Sequence, residues 1–274
     1  MAADVTSPGG GPTAESAPGN VLPAVDVRPH TFRFGLIYGT LGAILVAAIV
    51  GLVIFATRSI NPSPTWSTWK PSGGGQGAAQ QIADHVAQSY HLPNGDQIVD
   101  VISGAPSIAP AKTTLPIHFI AVSGTKTAKG SINAVSSTNT VMYTLCGLGV
   151  SCTIATGTPS KERGELVRRE ILELSLYTFK YVGGVQNVIA FVPPAGAKKP
   201  KFVVYLNRSD LAAQLKQPLD ETLGEKVPLP ATIPAREVRV IEQTTTPRLY
   251  QFSGVAQSQQ GDLIFVLARI PAAP

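Results

Sequence analysis

The longest feature of the hydropathy pattern runs from Phe34 to Ala56, without one Asp, Glu, Lys, Arg or His, bounded by Arg33 and by Thr57-Arg58. At about 1.5 Å per residue such a run makes a helix of roughly 35 Å, enough to cross a hydrocarbon core of about 30 Å with modest tilt. A soluble helix of this length shows a polar face, and a signal peptide has a shorter apolar region closer to its N-terminus. The pattern therefore predicts an uncleaved transmembrane helix over 34–56, held in the lipid bilayer, with a cleaved signal as the weaker alternative.

Beyond this run the pattern breaks into shorter periods. Ile82, Val86 and Tyr90 recur every fourth residue with Ala79 and Ala83 beside them, which predicts a helix over 78–90 ending at His91-Leu92-Pro93. The clearest helix is 161–181, where Val167, Ile171, Leu174 and Thr178 share a face widened by Leu172, Leu176 and Phe179. Ser160 is its predicted N-cap and Gly183-Gly184 its stop. Shorter helices are expected over 209–216 and from Pro234. Runs rich in β-branched residues predict strands over 97–102, 117–122 and 140–145, with central strands over 187–192 and 201–206 and a terminal hairpin of 249–255 with 263–270. No regular β-α-β alternation and no repeat is present. The expected fold class is thus α+β: one N-terminal transmembrane helix, then a single mixed, mainly antiparallel sheet domain packed with helices.

The polar segments set the boundaries. Residues 1–33 are rich in Gly, Pro, Ala and Ser and lack apolar periodicity, so they read as a disordered cytoplasmic tail. Residues 57–76 mix Pro and Ser with Gly73-Gly74-Gly75 and read as a juxtamembrane tether. The extracytoplasmic α+β domain is then 77–274. The tail and anchor resemble those of bitopic envelope proteins of high-GC bacteria, a likeness of composition that covers no functional residue.

Charge changes the picture little. The net charge is +5, and Arg28 and Arg33 before the span are balanced by Arg58 and Lys70 after it, so the positive-inside rule gives no orientation. Trp66 and Trp69 follow the span, where indole rings sit at a headgroup interface. Cys146 and Cys152 are the chain's two cysteines, close together, as expected of a structural disulfide in an oxidising compartment. Both features favour a cell-membrane, single-pass topology with the N-terminus cytoplasmic and the C-terminal domain outside.

Within the span, Gly35, Gly39, Ala43, Ala47 and Gly51 recur every fourth residue. Such small-residue stripes let a second helix approach closely, so the partner expected there is a second copy of the chain or another transmembrane helix. The Lys198, Lys199 and Lys201 cluster is an anion contact for an envelope polymer, or else simply solubilises a hairpin turn. No aromatic interleaving marks a nucleic-acid platform, and no nucleic acid is expected.

Candidate chemistry is sparse. Five residues separate the cysteines, unlike a redox pair at a helix start, and no further ligands complete a zinc site. His85 and His91 fall on different helix faces, His118 lies in an apolar strand and His30 in the tail. No nucleophile elbow, Walker loop or Rossmann fingerprint occurs. Glu162, Glu165, Glu170 and Glu173 alternate with Arg163, Arg168 and Arg169, the pattern of a solvated, ion-paired helix face. No catalytic, cofactor or metal residue is assigned. The expected function is a non-enzymatic binding or scaffold module of the envelope that holds another protein or an anionic polymer. The alternatives are a membrane-tethered receptor for a small ligand or envelope polymer, or an envelope hydrolase or redox enzyme.

Overall fold

The computed structural model describes residues 31–58, 65–109, 113–124, 131–194 and 200–270, and divides into two units, Met1–Pro62 and Ser63–Pro274. The described part of the first unit is helix α1, Thr31–Arg58. Its Tyr38–Phe55 stretch is long and apolar enough to cross a membrane, compatible with a single-pass membrane protein, and its side chains are exposed throughout.

In the second unit β-branched and aromatic runs form strands, and runs with helical spacing form α2, Gly75–Ala87, and α3, Lys161–Tyr181. The strands are β1, Asp100–Gly104; β2, Ser107–Ile108; β3, Leu115–Pro116; β4, Phe119–Ser123; β5, Ile132–Ser136; and β6, Thr140–Cys146. After α3 come β7, Asn187–Phe191, and β8, Phe202–Asn207, then the short α4, Leu219–Thr222, and α5, Ala235–Thr245. The hairpin of β9, Leu249–Gln257, and β10, Leu263–Arg269, closes the chain. The main sheet runs β1-β6-β7-β8-β9-β10-β4-β5, with β2 and β3 paired separately. It is mixed: β6 with β7 and β4 with β10 are parallel, and the other neighbours are antiparallel.

The sheet coils. The rings of Phe191 on β7 and Phe265 on β10 are 6.2 Å apart, although a flat sheet would hold those strands about 14 Å apart. A bulge at Ser253 on β9, opposite Val266 and Leu267 of β10, adds to the bend. Two cores result. One lies between α2, α3 and the β1, β6, β7 and β8 surface, and includes Ile82, Tyr143, Leu145, Leu172, Phe179 and Leu206. The other fills the inside of the curl, with Ile120, Ile189, Tyr205, Tyr250, Phe265 and Leu267.

Ser160 caps α3 by accepting the Arg163 N–H at 3.3 Å, as its position before the apolar periodicity predicts. Elsewhere the structure departs from expectation. The segment expected to tether the domain is partly built into it: α2 starts at Gly75, Trp66 is buried, and its carbonyl accepts the Leu219 N–H at 2.7 Å. The helix expected over 209–216 is two 3-10 turns, Arg208–Leu211 and Gln214–Lys216. After Cys152 the chain runs without a strand to α3.

Candidate functional site

The disulfide loop leads directly into one wall of a cleft, which begins at Thr153. Cys146 and Cys152 are joined, and the chain between them turns tightly: Gly147 donates to the Cys152 carbonyl at 3.0 Å and Gly149 to the Thr153 carbonyl at 2.7 Å. Ser151 and Cys152 have φ of 55° and 62°, the left-handed region that costs a side-chain-bearing residue energy and persists only where the surroundings hold it. A Cβ on Gly147 would lie 2.2 Å from the Thr153 carbonyl oxygen, so this position requires glycine. The closed loop of seven residues stabilises the folded chain by about 2.4 kcal/mol on chain entropy.

From Thr153 the chain runs to Ser160 and the start of α3, and together with Val192-Pro193-Pro194 after β7 it encloses a cleft of about 460 Å³. Ile154, Pro159, Val167, Val192 and the two prolines make its apolar walls; Thr153, Ser160 and Arg163 supply the polarity. Arg163 donates from Nη1 to the Thr156 carbonyl, which fixes its guanidinium against the loop. Gly157, with φ of 77°, gives the guanidinium room, since a Cβ there would lie 2.3 Å from Nη2. The start of α3 is electropositive. Beside the cleft, the Glu162 carboxyl is held below its ordinary pKa by its own backbone N–H and by Ser160. The lining contains no histidine and no carboxylate.

Further along α3 the charges expected on a solvated face are instead buried, which corrects the sequence reading. Arg169 is fully buried and donates from Nε to Glu237 at 2.7 Å, from Nη1 to the Tyr90 hydroxyl at 2.6 Å and to Glu173 at 3.1 Å, and from Nη2 to the Gly224 carbonyl at 3.0 Å. Tyr90 in turn donates to Glu173 at 2.6 Å. Burial alone would lower the Arg169 pKa, but Tyr90, Glu173 and Glu237 together raise it, so the cation is secure. Glu170 is fully buried too, and neither of its carboxyl oxygens has a hydrogen-bond partner. Burial, then Glu173 and Asp100, push its pKa well up. The physical reason is packing: α2 lies against one flank of α3 and α5 against another, so a face that an isolated helix would hydrate is enclosed.

Trp66 and Trp69 belong to an aromatic cluster on α3. Trp66 meets Tyr177 and Tyr181 edge-on at 5.4 and 5.6 Å, and Trp69 stacks on His85 at 3.9 Å. Trp66 is buried in this cluster and Trp69 is partly exposed. His85 is held below its ordinary pKa by burial. His91 is exposed, and His118 lies 3.6 Å from Asp262 at the far hairpin, so the described histidines occupy separate places and none lines the cleft. Among the described residues no group of three or more His, Cys, Asp or Glu could hold a metal ion.

Of the stripe on α1, Gly39, Ala43, Ala47 and Gly51 are exposed, and Gly35 lies in the helix where side-chain surroundings are not described. Lys201 is exposed before β8, while Lys198 and Lys199 fall outside the described residues. Sequence reasoning missed the cleft and the buried network. The advance signals were the helix cap Ser160, which lines the cleft, and the cysteine pair, which ends one residue before its wall at Thr153. Comparison with protein families, curated proteins and solved structures finds no match to this chain.

Proposed function

We propose that this chain is a single-pass, membrane-anchored binding module of the cell envelope, non-enzymatic, whose outward C-terminal unit takes a small apolar ligand bearing an anionic group. The observation that carries the reading is the cleft. Its walls are apolar, its one charged lining group is the Arg163 guanidinium, and the positive end of α3 opens beside it. Acid–base chemistry needs a titratable pair near a bound substrate, and the lining supplies only hydroxyls and a guanidinium. This favours ligand capture over a scaffold role for the unit. The joined cysteines support an oxidising compartment, hence the outward orientation.

The test uses the full chain in lipid nanodiscs, titrated calorimetrically with 2-naphthoate against an empty-nanodisc blank. Saturable one-site binding is expected, weaker for the neutral 2-naphthamide and lost in Val192→Glu, which places a carboxylate in the cleft wall. Absence of saturable binding, or binding unchanged in Val192→Glu, refutes the cleft as the site. Orientation is checked on intact cells with a membrane-impermeant maleimide. Labelling of the cysteines only after reduction is expected; labelling only after lysis, without reductant, refutes the outward domain.

A further inference from the structure

The two edges of the main sheet are treated differently. At the β1 edge the Val101 N–H is taken by the Asp100 carboxylate at 3.0 Å, and the Ser103 N–H by the Gln80 side chain at 3.2 Å, so side chains close the strand. At the other edge lies β5. Its pairing with β4 is fixed by the Gly124 N–H on the Ser131 carbonyl and the Ser137 N–H on the His118 carbonyl. Antiparallel pairing alternates, so Asn133 and Val135 turn their backbone groups toward β4, while Ile132, Ala134 and Ser136 turn theirs outward. The Ser136 carbonyl is taken by the Thr140 hydroxyl at 3.1 Å. The outward N–H and C=O groups of Ile132 and Ala134 meet no partner among the described residues.

Among the described residues the strand carries none of the usual protection. Ile132–Ser136 contains no charge, no proline and no bulge, and Ile132 is 67% exposed. Its outward-facing row continues across the sheet through Phe119 and Ala121 on β4 and Ile264 and Val266 on β10, the cross-strand neighbours on the same face. Phe119 is 39% exposed and the others are partly so. The main helix packing falls on β1, β6 and β7 and not on this half of the face.

We infer that β5 pairs with β5 of a second copy of this chain, antiparallel about a two-fold axis, extending the sheet across two molecules. A strand edge is self-complementary under such an axis, because the N–H and C=O groups of Ile132 face those of Ala134 on the other copy, and the reverse. Self-pairing also brings no like charges together, although the molecule carries a net charge of +5, since β5 and the adjoining row are uncharged. The inference is independent of the cleft.

The test is sedimentation velocity of the full chain in detergent over a range of concentrations, with hydrogen exchange at the Ile132 and Ala134 amides measured in parallel. A monomer–dimer equilibrium is expected, with those amides slowed as concentration rises. Ile132→Lys, at an exposed position, should weaken association at least ~10-fold without changing the unfolding midpoint. Ala134→Pro, which removes one outward N–H, should act in the same direction. The double variant Gly39→Leu/Ala43→Leu, on α1, should leave the slowed exchange in place. A monomer at all concentrations overturns the inference. So does a dimer that persists in Ile132→Lys, or one abolished by the α1 variant alone.

Discussion

Replacing Glu170 by Gln gives the sharpest test of the buried network. Glu170 is fully buried, its two carboxyl oxygens lack partners, and Glu173 and Asp100 press on it with like charge, so its folded-state pKa is raised. The sign follows from linkage. A carboxyl with a raised folded pKa binds more protons folded than unfolded once the pH exceeds the ordinary carboxylate range. Its favourable contribution is therefore complete below that range and is lost as pH rises toward the folded pKa. Within this window each pH unit removes about 1.4 kcal/mol. Glu170→Gln has the shape of the neutral acid and nothing to titrate, so it should match the parent near pH 4 and exceed its stability by about 1.4 kcal/mol per pH unit above pH 5. The assay is urea unfolding of the full chain at several pH values, read by tryptophan fluorescence. Both tryptophans lie in the α3 cluster, so the signal reports the C-terminal unit. Parallel pH profiles for parent and variant, or a variant less stable at pH 7, would show that Glu170 is ionised and partnered and would refute the argument.

Arg169→Met should cost about 3–5 kcal/mol at pH 7, because it strands the Glu237 and Glu173 carboxylates without their cation. The loss should shrink as pH falls and Glu173, whose pKa burial raises, takes up its proton, which the same unfolding series would detect. Cys146→Ala with Cys152→Ala should lower stability by about 2.4 kcal/mol. It should also weaken 2-naphthoate binding, since Thr153 and Ile154 in the cleft wall directly follow Cys152; equal affinity in calorimetry would show that the loop does not shape the cleft.

What the sequence made legible depended on how local the cause was. Helix α3 is read to the residue because its periodicity, its serine cap and its following glycines act within one segment. The terminal hairpin and strands β6, β7 and β8 are readable within a residue or two for the same reason, since β-branched runs bounded by turns need no distant information. Strand β5 was missed because Ile132–Ser136 is short, with β-branched apolar residues only at Ile132 and Val135, and its pairing with β4 makes it a strand. The buried charges were missed because alternating Glu and Arg looks the same on a hydrated face as on an enclosed one. Only the positions of α2 and α5 separate the two cases, and no local pattern carries them. Trp66 shows the same limit, since nearness to the span suggested lipid while its packing partners, Tyr177 and Tyr181, lie over a hundred residues away in sequence.

These placements make α3 the element through which the unit's parts are coupled. Its first turn supplies Ser160, Arg163 and Gly164 to the cleft, and Val167 belongs both to the cleft wall and to the core. Half a turn further, Arg169 ties the helix to Tyr90 after α2 and to Glu237 on α5, and its last turns hold the aromatic cluster that pins the chain entering from Trp66. A rigid helix anchored at its middle by one guanidinium cannot shift its N-terminus freely. Occupancy of the cleft should therefore depend on the network: Arg169→Met should weaken 2-naphthoate binding although Arg169 does not line the cleft, and a variant that binds with unchanged affinity while losing stability would show that the two are independent.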